Sequence, residues 1–141
     1  MALNFHPLAP ACAALPLPLM AWSVRAGFPS PAEDHIEGRL DLNELLVTHP
    51  LATFLVRVKG QSMVLAGIQN DDYLIVNRAL QAAHGSIVIA LVDGDYTVKR
   101  LHKREGVFKL TAANDDFPAI EFVDGQVCEV WGVVTAVIKK F

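Results

Sequence analysis

The chain has 141 residues, 52% of them apolar and 19% charged, enough for one domain with a real core and too few for two ordinary ones. Its formal net charge of −3 argues against a protein that works by gripping a nucleic-acid backbone, which needs clustered positive charge, so no direct specific DNA binding is expected. Two cysteines, Cys12 and Cys128, lie far apart without CxxC spacing. This gives no metal site, no cofactor and no disulfide framework, and it fits the reducing cytoplasm.

Residues 7–24 carry no charge and are rich in Ala, Pro and Leu. No basic region precedes them, as a secretory signal requires, and Pro7, Pro10, Pro16 and Pro18 break any spanning helix. A disordered or extended arm outside any membrane is the expectation. The composition changes near residue 30, after the irregular hinge Gly27-Phe28-Pro29-Ser30-Pro31, which divides an arm (1–30) from a body (31–141). Asp41-Leu42-Asn43-Glu44 has the form of a capping box opening a short helix, Leu42 to about Thr48, ended by Pro50.

Strand follows strand from there: Phe54–Lys59, Tyr73–Asn77, Ile87–Val92, Tyr96–His102, Val107–Ala112, Ile120–Val123 and a long Val127–Lys139. Phe54, Val56 and Val58 share one face of the first. Asp93-Gly94 and Asp124-Gly125 are hairpin signals, because these residues tolerate positive φ. The expected fold is mainly β: a small, strongly bent β body with one short helix and an extended N-terminal arm.

Val58-Lys59-Gly60-Gln61-Ser62-Met63 runs a strand into a Gly-led turn that presents a serine. Such a turn exposes the hydroxyl of Ser62 and can aim the N–H groups of Gln61 and Ser62 at an oxyanion. Taken alone, a Gly-x-Ser is more often the mark of a plain turn. The five histidines form no triad pattern: His49 simply precedes Pro50, and His102 reads as a surface residue. The other available base is a lysine kept neutral by burial. Lys99, on the strand face shared with Thr97 and Leu101, is the candidate, although a strand lysine is commonly just an edge-protecting charge.

The combination is more specific than its parts. Gly60-Gln61-Ser62-Met63, Gly67-Ile68, Asp71-Asp72-Tyr73-Leu74-Ile75-Val76, His84-Gly85-Ser86-Ile87-Val88-Ile89-Ala90, and Asp93-Gly94 with Tyr96-Thr97-Val98-Lys99-Arg100-Leu101 together resemble the LexA/UmuD/phage-repressor serine–lysine peptidase family. In that family the serine matching Ser62 is the nucleophile and the lysine matching Lys99 is the general base. Asn114 and Val133-Val134 fit its closing strands. Upstream, Ala26-Gly27-Phe28-Pro29-Ser30-Pro31-Ala32, Asp41-Leu42-Asn43-Glu44-Leu45-Leu46 and His49-Pro50-Leu51-Ala52-Thr53 are similar to the UmuD-like members, so the resemblance spans roughly residues 27–138.

The bond matching the family's self-cleavage site is Ala26–Gly27, small on both sides. UmuD relatives more usually have Cys where this chain has Ala26. LexA-like repressors use Ala-Gly behind a helix-turn-helix, which the proline-broken residues 1–26 cannot hold. The resemblance implies autocatalytic cleavage promoted by a RecA–single-stranded DNA filament, a homodimer, and a product that serves a UmuC-type lesion-bypass polymerase in the SOS response. A non-catalytic polymerase or clamp adaptor of the same fold is the alternative, with Leu17-Pro18-Leu19-Met20 as docking segment. A signal-peptidase-like enzyme shares the Ser–Lys chemistry but would need a membrane anchor.

Overall fold

A computed structural model describes residues 14–24, 26–27, 35–122 and 128–141. Cys12, hinge residues 28–31, Val123, Val127 and the Asp124-Gly125 turn lie outside the described residues. Within them the chain runs β1 (Pro16–Met20), β2 (Ile36–Asp41), α1 (Leu42–Leu46), β3 (Thr53–Arg57), β4 (Tyr73–Asn77), β5 (Ile87–Val92), β6 (Asp95–Arg104), β7 (Val107–Thr111), β8 (Ile120–Glu121) and β9 (Cys128–Ile138). No helix among the described residues is long and apolar enough to cross a membrane.

The arm is extended over Pro16–Met20. β1 pairs antiparallel with β2, from Pro16↔Asp41 to Met20↔Ile36. Sequence patterning does not show this pair, because two of the five residues of β1 are proline. Strand parity resolves the conflict: Pro16 and Pro18 have the same phase, so both missing N–H groups fall on the outer edge while Leu17 and Leu19 bond inward. Leu15 N donates to the Asp41 carboxylate (3.3 Å). The same carboxylate caps α1 by accepting from Asn43 N at 3.0 Å. The helix is shorter than the sequence suggested, closing at Leu46, and Pro50 opens a separate 3₁₀ turn, Pro50–Ala52.

The main sheet has the order β3-β4-β9-β5-β6-β7-β8, every neighbouring pair antiparallel, and it does not close into a barrel. Its bend has a local cause. β9 pairs β5 through its first half and β4 through its second, and the register slips in both ladders, between Ile89 and Ala90 and between Ile75 and Val76. Each slip leaves an extra β9 residue, Trp131 and Thr135, and such bulges bend and twist the strand that carries them.

Two apolar clusters fill the two sides of the bent sheet. One gathers Val58, Met63, Ile68, Leu74, Val76, Ile89 and Trp131. The other gathers Val88, Ala90, Leu101, Leu110 and Val133. Val88, Ile89 and Ala90 alternate between the two, as a strand buried on both faces requires. Val56 and Phe54 pack against the first cluster with Val58, on the shared face expected from their spacing.

Candidate active site

β3 delivers the serine turn. Beyond Arg57 the ladder continues through Val58, whose N–H donates to Asp72 O and whose carbonyl accepts from Asp71 N, both at 2.8 Å. The backbone then reverses at Gly60, where φ is +102°, a conformation costly for any residue with a Cβ. Gly60 N donates to Asn70 Oδ1 (2.9 Å), and Met63, 1% exposed, anchors the far side of the turn in the core. Ser62 is thereby held, half-buried, between a braced glycine and a buried methionine.

Lys99 comes from the middle of β6. A flat sheet would set β6 about 19 Å from β3, four strand spacings away. The bend about β9 and the reach of the Gly60 turn close that distance. Lys99 Nζ donates to Ser62 Oγ at 2.9 Å, to Thr97 Oγ1 at 2.8 Å and to Val98 O at 3.1 Å. Lys99 is 8% exposed, and no carboxylate among the described residues pairs with it. Burial holds its pKa below the ordinary 10.5, since desolvation disfavours the ammonium. The strand-lysine alternative of a solvated edge charge does not fit this environment.

Both residues border a cleft of about 390 Å³, whose walls include Val56, Gln61, Tyr96, Thr97 and Phe117. No histidine among the described residues lines it. His102 is half-buried against His84 (ring centroids 5.0 Å), and His49 Nδ1 lies 2.9 Å from Asn77 Nδ2, so His49 does more than precede a proline. Among the described residues no acceptor takes the N–H of Gln61 or Ser62. No three His, Cys, Asp or Glu side chains among the described residues are grouped to hold a metal.

Ala26 and Gly27 form an exposed bend and are not among the residues lining the cleft. A Cβ added to Gly27 meets nothing within 4 Å. Asn114 departs from its expected place in a closing strand. It lies in the turn between β7 and β8 and donates Nδ2–H to Gln61 O at 2.8 Å. Nothing in the spacing between Ser62 and Asn114 signals this contact, whereas the Thr97–Lys99 contact follows from i, i+2 parity.

The comparisons with known proteins agree with the geometry. Residues 18–135 match the family model described as Peptidase S24-like. Protein ImpA of Salmonella typhimurium is 46% identical over 123 residues, covering 87% of this chain and 83% of that protein. Protein MucA of Escherichia coli is 43% identical over 120 residues (84% and 82%). The LexA repressor of Shewanella oneidensis is 40% identical over 125 residues, 88% of this chain but 60% of the repressor. A match of this extent, centred on a domain that joins a turn serine to a desolvated strand lysine, makes the chain a member of the peptidase S24-like family.

Proposed function

We propose that this chain is a self-cleaving serine peptidase that cuts its own arm at Ala26–Gly27. The observation that carries the reading is the 2.9 Å contact between Lys99 Nζ and Ser62 Oγ, made by a buried lysine with no counter-ion among the described residues. Neutral Lys99 takes the Ser62 hydroxyl proton as Oγ bonds to the Ala26 carbonyl carbon, and the N–H groups of Gln61 and Ser62 receive the oxyanion. The C–N bond then breaks, and the Lys99 ammonium gives its proton to the leaving Gly27 nitrogen. Water, deprotonated by Lys99, hydrolyses the ester and frees residues 1–26. Residues 1–30 act as the removable arm and 31–141 as the peptidase body.

Resemblance to the UmuD-like proteins extends the proposal to the SOS response. There a RecA–single-stranded DNA filament promotes the cut, and the shortened cytoplasmic homodimer serves a UmuC-type polymerase. In the adaptor alternative Ser62 and Lys99 are structural, yet a purely structural role gives no reason for a buried lysine that no carboxylate among the described residues pairs with. The test is Ser62→Ala, which removes one hydroxyl from a turn. The protein should fold and stay at full mass while wild type, incubated at alkaline pH, yields the 27–141 product. A Ser62→Ala protein that still yields this product would sink the proposal.

A further inference from the structure

We infer that Asn114 is a positioning residue that fixes the orientation of the Gln61–Ser62 peptide, and with it one of the two oxyanion donors. The inference rests on the reaction proposed above. A trans peptide is planar, so the Gln61 carbonyl and the Ser62 N–H point to opposite sides of one rigid plate. Gln61 O accepts from Asn114 Nδ2 at 2.8 Å and, more weakly, from Val64 N at 3.4 Å. Holding that oxygen aims the Ser62 N–H away from Asn114.

Asn114 is itself held. Its Oδ1 accepts from Asp116 N (3.0 Å), which leaves the NH₂ end to face Gln61. Its carbonyl accepts from Phe117 N (3.1 Å), and the carbonyl of neighbouring Ala113 accepts from Leu65 N (2.8 Å). The 113–117 turn thus grips the serine loop on both sides of Ser62, at Gln61 and at Leu65. Such bracing is what a preorganised donor requires, because a loop free to rotate its peptide would lose orientation as charge develops on the substrate oxygen. Lys99 needs none of it, being held from its own strand by Thr97 and Val98.

The experiment measures self-cleavage of the full chain against pH, by mass of the 27–141 product, for wild type, Asn114→Ala, Asn114→Gln and Ser62→Ala. Loss of a whole oxyanion donor costs about 10²–10³ in rate, so a misaimed one should lower the high-pH plateau about 10- to 100-fold in Asn114→Ala. The pH midpoint, set by Lys99, should stay at its wild-type position, and Asn114→Gln, which keeps the carboxamide, should recover part of the rate. A site that merely loosened would admit water to Lys99 and move the midpoint upward. Wild-type plateau rates in Asn114→Ala, or a moved midpoint with an unchanged plateau, would overturn the inference. Should Asn114→Ala unfold, Asn114→Asp decides: it keeps the acceptor for Asp116 N, loses the donor to Gln61, and should show the same lowered plateau. Product from Ser62→Ala would defeat the proposed reaction itself, whereas inert Ser62→Ala beside full-speed Asn114→Ala would defeat only the role of Asn114.

Discussion

Burial of Lys99 has two consequences that can be measured separately. As a base it works only when neutral, so the cleavage rate should climb with pH with its midpoint below the ordinary lysine value of 10.5. Lys99→Ala should slow cutting about 10²–10⁴-fold, and Lys99→Arg should fail equally because a guanidinium keeps its proton. A flat profile together with an active Lys99→Ala protein would return the adaptor reading. Folding carries the same signature. With the folded pKa below the unfolded one, the unfolded chain binds more protons between the two values, so stability measured on Ser62→Ala protein should rise with pH across that window. Replacing Lys99 by Met should flatten the rise. Gly27 tests the bond. Its Cβ position is open in the exposed bend, so Gly27→Glu should change stability by no more than about 0.5 kcal/mol. Cutting should nevertheless slow greatly, because residue 27 must pass Ser62 when the bond is seated in the cleft. Equal rates for Gly27→Glu and wild type, read by mass spectrometry, would move the scissile bond elsewhere.

At the scale of elements, β9 determines whether the site forms. A Cβ on Gly132 would lie 2.5 Å from Val76 Cγ1 and 3.2 Å from Arg78 Cγ, because the β4–β9 ladder, whose last pair is Asn77↔Val133, sets Gly132 beside the end of β4. Gly132→Ala should therefore cost about 1–3 kcal/mol in chemical denaturation, and it should slow cleavage although residue 132 touches neither Ser62 nor Lys99. An alanine variant of wild-type stability would mean that β4 yields without strain. The strands around this position are legible from sequence. Tyr73–Asn77 and Ile87–Val92 match their expected limits, since both are continuous apolar runs bounded by turns. β6 overruns its expected end, reaching Arg104, because its hairpin partner β7 starts at Val107 and the ladder pairs Arg104 with Val107. The bulges of β9 have no such signature: a long run of β-branched residues reads the same with or without an extra residue in the ladder.

For the whole molecule, the β1–β2 pair gives cleavage a structural consequence. The proposed cut falls between the two strands, so it severs their covalent link but not their hydrogen bonds. Fragment 1–26 has to peel off β2, which then has no strand partner among the described residues and exposes the backbone groups along its own Ile36 to Asp41. Amide exchange within Ile36–Asp41 should be slow before cutting and fast once the fragment has left, while β4, β5 and β9 remain unchanged. Unaltered exchange in β2 would mean that the fragment stays bound or that the pair does not persist in solution. The chain by itself determined its mainly-β character, the Gly60–Ser62 turn and the candidate pair Ser62 and Lys99, because alternation, turn residues and motif spacing are local or act through short segments. Only the tertiary structure decided that Lys99 is buried against Ser62, that proline-bearing β1 pairs with β2, and that Asn114 braces the Gln61 carbonyl. Those contacts span 37, about 20 and 53 positions, beyond the reach of any local pattern of residues, and the Ser62–Lys99 contact depends in addition on where a bulged strand bends the main sheet.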